Sequence, residues 1–497
     1  MDARTQGSEL EERPPLDPAD IRTILVGIML AMFLSALDQS IIGPALPTIG
    51  LTFGDVVNLS WVVTAYLLTA TAVTPLAGKL ADIHGPRPVL LGGIALFLVG
   101  SVMCALAPDL LTLVLGRAVQ GVGGGGLISL AQTTIALIIA PRERGRYQGY
   151  FASVFITSSL AGPVLGGFFA QHLHWSLIFW INVPLGIAAA LMSERALRRL
   201  PPHNHPHRLD IAGALLMCAA TVALLLALSW GGTRYGWLSL PILGLFAGSA
   251  LLWAGFGLRV ATALEPLLPL SVLSNPVVRT GVASAAFAMG TLIGLTIQIP
   301  LYLEAVLQLS ASQSGMVLIP LMAGVVLGAT STGRIMGHLR HYKRVPMVGL
   351  CFGIVALAAL AYEPQRLPLA ALMALLGATG MGLGTVLPVV TVAIQNAVPM
   401  HQIGTATATM NFFRSLGAAV LTAVLGAIVV GLAGAEPGHG SIMDMLTPGS
   451  DVTALTLAFR WVFAASALSL VLSLLFLLRM EERPLRTTVG HASSLAD

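Results

Sequence analysis

One constraint recurs along nearly the whole sequence: runs of about 20 apolar residues without a charge, such as "PVLLGGIALFLVGSVMCALA" (88–107) and "IAGALLMCAATVALLLALSW" (211–230). A hydrocarbon layer about 30 Å thick is crossed by roughly 20 helical residues. Inside it no water is present to satisfy backbone N–H and C=O groups, so only helices and closed barrels can span it. The period-two alternation of barrel strands is missing here. The chain therefore reads as an all-α integral membrane protein. Its composition agrees, with 56% hydrophobic and 10% charged residues and a mean hydropathy of +0.85.

Fourteen spans are expected, near residues 24–48, 57–77, 88–107, 110–138, 147–170, 174–192, 211–230, 238–258, 277–303, 312–332, 345–362, 367–395, 404–432 and 455–478. Lys and Arg set the orientation, because they accumulate in cytoplasmic loops. With the N-terminus inside, 21 of them fall on inward segments and only Arg234, Arg366 and Arg460 on outward ones. Both termini are thus expected in the cytoplasm, with the chain in a bacterial-type cytoplasmic membrane. The net charge of +4 follows from this topology and asks for no nucleic acid. A cleaved signal peptide is not expected, because Glu9, Glu11 and Glu12 precede a first apolar run that is too long for one. Cys104, Cys218 and Cys351 each fall within a span, which argues against a disulfide framework.

The spans divide into a six-helix bundle over 24–197, a linker with two extra spans over 198–262, and a second six-helix bundle over 263–480, flanked by tails 1–23 and 481–497. An internal echo supports the division. "GKLADIHGPR" (78–87) and "GRIMGHLRHYKR" (333–344) occupy the corresponding inward loop of each half, as parallel repeats require.

Three charged residues lie deep inside spans, away from their ends: Asp38, Arg117 and Arg414. A charge at the bilayer centre costs from ~3 to more than 10 kcal/mol, so such residues face a partner or a cavity and commonly mark pathways and proton relays. Counted at 1.5 Å per residue, Asp38 and Arg117 lie at nearly the same depth, and Arg414 approaches that depth from the other side. These positions predict an Asp38 ion pair with one of the two arginines. A carboxylate that exchanges its cation for a proton can carry one proton per cycle, whereas a permanent pair would only tie two helices together.

Other motifs are read more plainly. Residues 121–126 match GxGxxG, but no strand precedes them and no βαβ unit surrounds them, so they are read as a close-packing stretch and not as a dinucleotide site. Gly162 and Gly166 share a helix face beside Pro163, and with Gly167 they suit a kinked, small-residue seam. Gly78, Asp82, Gly85 and Arg87 form a tight basic turn, in which Asp82 is placed to accept from a neighbouring helix N-terminus and latch the bundles together. Gln120, Gln298, Glu304 and Asn411 are candidate cavity residues, although interhelical hydrogen bonding or an interfacial position would also explain them. His203, His205 and His207 alternate in a Pro-rich loop and are not read as metal ligands.

Taken together, these stretches resemble the major facilitator superfamily, and within it the fourteen-span drug:proton antiporters. The resemblance rests on "LDQSIIGPALP", "WVVTAYLL", "GKLADIHGPRPVLL", "LGRAVQGVGGGG", "AGPVLGG" and "WSLIFWINVPLG", with "RLDIAGALL" through "LSWGGTRYGW" matching the extra helix pair. It implies that Asp38 takes part in proton coupling, that Arg117 assists protonation, and that Gly78, Asp82, Gly85 and Arg87 form a cytoplasmic latch. Gly162, Pro163, Gly166 and Gly167 would belong to the antiporter motif. Ile83, Pro86, Ser158 and Gly337 depart from the usual pattern, most of them in the latches. The implied function is proton-driven export of lipophilic, cationic drugs by alternating access, without a cofactor. Protons, a lipophilic small molecule and the bilayer are the expected partners, and the sequence leaves open whether a periplasmic adaptor joins them. Export of a lipid, siderophore or other metabolite is the alternative. A membrane enzyme would need a catalytic cluster at the interface, and a scaffold would need no buried charges; ATP drive lacks a GxxxxGK[ST] motif.

Overall fold

A computed structural model describes residues 18–55, 58–198, 209–432 and 452–488. Fourteen helical segments in it are long and apolar enough to cross a membrane: α1 (Ile21–Phe53), α2 (Trp61–His84), α3 (Pro86–Ala105), α4 (Leu110–Ile138), α5 (Pro141–His172), α6 (Leu177–Leu197), α7 (Ile211–Trp230), α8 (Leu240–Thr262), α9 (Pro276–Ala305), α10 (Gln313–His338), α11 (Arg344–Tyr362), α12 (Leu369–Ala397), α13 (Met400–Leu432) and α14 (Thr453–Arg479). An even number of crossings returns both chain ends to one side, called here the terminal face.

The packing repeats itself. In the first half α1 lies against α5 and α6, α4 against α2 and α3, and α3 against α6. Eight helices later the same pairs recur: α9 against α13 and α14, α12 against α10 and α11, and α11 against α14. The halves meet along two equivalent seams, α2 on α13 and α5 on α10. Two six-helix bundles related in this way are parallel structural repeats. The extra helices α7 and α8 pair with each other, and α7 leans on the seam between α2 and α13. Trp61 meets Trp230 there at 5.7 Å, and Trp253 of α8 reaches Phe412 at 6.2 Å.

Local breaks follow from composition. The first span is interrupted by a 3-10 turn at Gly43–Ala45, where Pro44 removes a backbone donor. The fourth is split at Gly125 and Gly126 into helices Leu110–Gly124 and Leu127–Ile138. A β-carbon on Gly123 would strike the backbone of Phe97 and Gly93, and one on Gly125 would strike Ala70. The glycine run therefore lets α4 lie in backbone contact with both α2 and α3, which seats Arg117 between them.

Candidate functional site

The centre of the first bundle holds a buried ion pair. Asp38 of α1 and Arg117 of α4 are each 1% exposed, and Arg117 Nη1 donates to Asp38 Oδ2 at 2.5 Å. Gln120 Nε2 and Asn182 Nδ2 both donate to Asp38 Oδ1, at 2.7 and 2.9 Å. The guanidinium also donates to the Val62 carbonyl at 3.0 Å and to Gln120 Oε1 at 2.6 Å, and its carbon lies 4.4 Å from the Tyr66 ring centroid. Ser101 ties in both amides, accepting from Gln120 at 2.8 Å and from Asn182 at 3.3 Å. Five helices thus converge on one carboxylate. At this depth every unmatched charge is costly, and the pair is balanced by charge and saturated with hydrogen bonds.

A cavity of about 990 Å³ lies beside this centre, between the bundles. Its wall includes Thr64, Thr233, Trp237 and Val430 toward the face opposite the termini, and it ends near Thr74, Ile128 and Arg414. Ser35, Gln39 and Tyr66 line it, and the ring of Tyr66 also packs on Arg117. The Ser35 and Tyr66 hydroxyls lie 3.1 Å apart, and Gln39 Nε2 donates to the Ser35 carbonyl at 3.2 Å. Tyr66, with Ser35 bonded to its hydroxyl, therefore stands between the ion pair and the cavity.

Toward the terminal face the halves are closed. Asp82 of α2 accepts from Gly404 N at 2.8 Å, from Thr405 N at 2.7 Å and from Thr405 Oγ1 at 2.6 Å. These are the orphan donors at the start of the long helix Ile403–Leu432, a position that favours an anion. Gly78, one turn earlier, sits so close to Gly404 and Ala408 that any side chain would collide. On the equivalent seam Gly145 and Gly333 make the same kind of backbone approach, and Arg142 Nε donates to the Gly337 carbonyl at 2.8 Å. The segment after α14 adds a strap: the Arg142 N–H donates to the Arg486 carbonyl at 3.2 Å, and Arg486 Nη2 donates to the Asn396 carbonyl at 2.5 Å.

Several sequence expectations land elsewhere. Arg414 does not join Asp38; it lies on the cavity wall in the second bundle, and no acid or other hydrogen-bond acceptor meets it among the described residues. Gln120 lies outside the cavity because it shares a helix face with Arg117, three residues earlier, and so it serves the ion pair. Asn411 is buried between the halves, donating to Ser129 Oγ at 3.0 Å and Gln132 Oε1 at 2.8 Å. Glu304 accepts from Ser314 at 2.9 Å, away from the cavity lining. Gln298 alone of the four lines the cavity. Arg87 bonds Glu194 of α6 at 2.9 Å and not Asp82, and Gly85 turns the chain between α2 and α3 with φ +83°. Gly162 and Gly166 face α1, where a β-carbon would strike Ser40 and the Ile41 carbonyl; Gly167 has room for one. Pro163 lies within the same helix. His203, His205 and His207 lie outside the described residues.

Tyr66, Ser101, Asn182 and Thr405 went unmarked in the sequence. Only position could have flagged them: Tyr66 and Asn182 lie within the quoted stretches "WVVTAYLL" and "WINVPLG", but a lone neutral polar residue in a span is ordinarily interhelical glue.

A family model described as Major Facilitator Superfamily matches residues 28–422. The chain is 36% identical over 418 residues to an MFS-type transporter of Mycobacterium tuberculosis, covering 84% of this chain and 61% of that one. It thus spans about three fifths of that relative's length. The multidrug transporter protein MdtP of Bacillus subtilis is 33% identical over 411 residues, covering 82% of this chain and 75% of its own. Among solved structures, the human organic anion transporter MFSD10 (TETRAN) superposes with a TM-score of 0.64 at 16% identity, covering 91% of this chain and all of that one, a likeness of fold alone.

Proposed function

Because the chain belongs to the Major Facilitator Superfamily, we propose that it is a secondary active exporter of lipophilic small molecules, driven by proton entry. The observation that carries this reading is the saturated Asp38–Arg117 pair, set off by Tyr66 from a large cavity that is closed toward the terminal face. The multidrug names of relatives at 30–33% identity support the export of lipophilic compounds.

The chemistry requires a single exchange. A carboxylate in a low-dielectric site needs either a cation or a proton. While the cavity is open, protons arrive by way of Ser35, Gln39 and Tyr66. Protonation of Asp38 frees Arg117, which retains the Val62 carbonyl, Gln120 Oε1 and the Tyr66 ring as partners. That loosening shifts α1 against α4, and through α2 it acts on the Asp82 contact that keeps the terminal face shut. When that face opens, Asp38 releases its proton there, Arg117 re-pairs with it, and the cavity is ready to load. With the termini in the cytoplasm, as the Lys and Arg distribution indicates, the closed face is the inner one and the state described is outward-open.

A cationic cargo finds no support in the cavity, because no carboxylate lines it among the described residues and Asp38 is occupied by Arg117, Gln120 and Asn182. The test is dye transport by proteoliposomes under an imposed pH gradient. Wild type should accumulate dye with the gradient and Asp38→Asn should not; equal gradient-dependent transport by Asp38→Asn would remove Asp38 from the mechanism.

A further inference from the structure

Arg414 is the one charged side chain lining the cavity among the described residues, and nothing described there accepts from it. An arginine at membrane depth without a counter-charge is costly, so its position implies a partner that arrives from outside the protein. A guanidinium has five donors in a planar fork matched to carboxylate, sulfonate or phosphate oxygens. Asp38 cannot be that partner in this state, because three donors from Arg117, Gln120 and Asn182 already hold it outside the cavity lining.

The rest of the wall describes the body of the same ligand. Leu67, Leu225, Ile293 and Leu301 supply apolar surface. Two further polar groups on the wall lack partners: Gln298, 5% exposed, has a free Oε1, and the Thr422 hydroxyl is free. Thr422 lies eight residues beyond Arg414 on α13, about 12 Å along the axis at 1.5 Å per residue. Gln298 points to the same stretch, since its Nε2 would lie 3.7 Å from a β-carbon on Gly426.

We propose that the cavity takes a lipophilic organic anion, with its acidic group on Arg414, its apolar body against α2, α7 and α9, and a hydrogen-bonding group near Gln298 and Thr422. As a substrate assignment this rests on the export reading; as a binding site it does not.

The test uses three probes that share one body: pyrenebutyrate, pyrenebutanol and pyrenebutyl-trimethylammonium. Binding to the full chain in nanodiscs is read by energy transfer from tryptophan to pyrene. Wild type should bind in the order carboxylate, alcohol, ammonium. Arg414→Gln should weaken the carboxylate by roughly tenfold or more while leaving the alcohol within about twofold, and Arg414→Lys should restore part of the loss. Tighter binding of the ammonium probe by wild type, or unchanged carboxylate affinity in Arg414→Gln, overturns the proposal; the wild-type order decides even if the variant does not fold. Transport of the same probes separates the two readings. Gradient-driven movement of the ammonium probe alone would leave the export reading standing and sink this one. Arg414-dependent binding of the carboxylate with no probe crossing would do the reverse.

Discussion

Replacing Asp82 with Asn tests the closure of the terminal face with a magnitude taken from the geometry. The carboxylate accepts three hydrogen bonds across the seam between α2 and α13, all from the first turn of the helix Ile403–Leu432. An amide of the same size keeps one oxygen and turns an NH₂ toward N–H donors. It also loses the charge that the helix N-terminus favours. Charge-assisted bonds contribute about 1.5–3 kcal/mol each and neutral ones about half of that, so the substitution costs the closed state about 3 kcal/mol, roughly 150-fold in equilibrium. A closed state preferred by about 100 to 1 would become a nearly even mixture. Thr405→Val removes only the hydroxyl bond to the carboxylate and should move the balance by about 1.5 kcal/mol, roughly tenfold. The assay places spin labels at Arg146 and Arg340, both exposed on the terminal face, with Cys104, Cys218 and Cys351 replaced by Ala. Electron–electron resonance should show a second, longer distance in Asp82→Asn and a weaker one in Thr405→Val. Superimposable distance distributions in all three proteins would refute the latch.

Arg117→Lys keeps the charge but cannot serve the Val62 carbonyl, Asp38 and Gln120 at once, so gradient-driven transport should fall by roughly tenfold or more while the protein stays folded; an unchanged pH dependence of transport would argue against direct coupling through the pair. Asn182→Leu leaves Asp38 one donor short and should lower unfolding stability by about 1–3 kcal/mol, measured by thermal unfolding in detergent. Gly166→Leu forces a side chain into the Ile41 carbonyl and should destabilise by about 1–3 kcal/mol or more, whereas Gly167→Leu, on the roomy side of the same helix, should be nearly neutral.

Hydropathy made the spans legible because burial in lipid leaves its mark on every residue of a helix. The expected 110–138 and 211–230 coincide with α4 and α7. Expected ends fell short where helices run past their apolar stretch: α5 begins at Pro141, six residues before the apolar pattern, because Pro at the first helical position starts a helix that charged residues continue. The Asp38–Arg117 proximity could be read from depth, since both residues lie in one bundle and a matched axial position brings them near each other. The same measure failed for Arg414. Axial depth is one coordinate and says nothing about which bundle, or which side of a cavity, a side chain occupies. Gln120 was misplaced although the sequence held the correction: its three-residue offset from Arg117 puts both on one helix face. Asn182 and Tyr66 were illegible for a different reason. Neutral polar groups carry a much smaller desolvation penalty than charges and are common between helices, so nothing in composition separates a residue serving a buried carboxylate from one that bonds a neighbouring helix.

Proton coupling in this protein requires that Asp38 change its protonation state. Infrared difference spectroscopy of the protein in lipid, recorded as pH is lowered, reads this directly through the C=O stretch of a carboxylic acid. A carboxylic acid band should grow in wild type and be missing from Asp38→Asn. Identical difference spectra from the two proteins would mean that Asp38 never takes up a proton, and that its pairing with Arg117 only ties helices together.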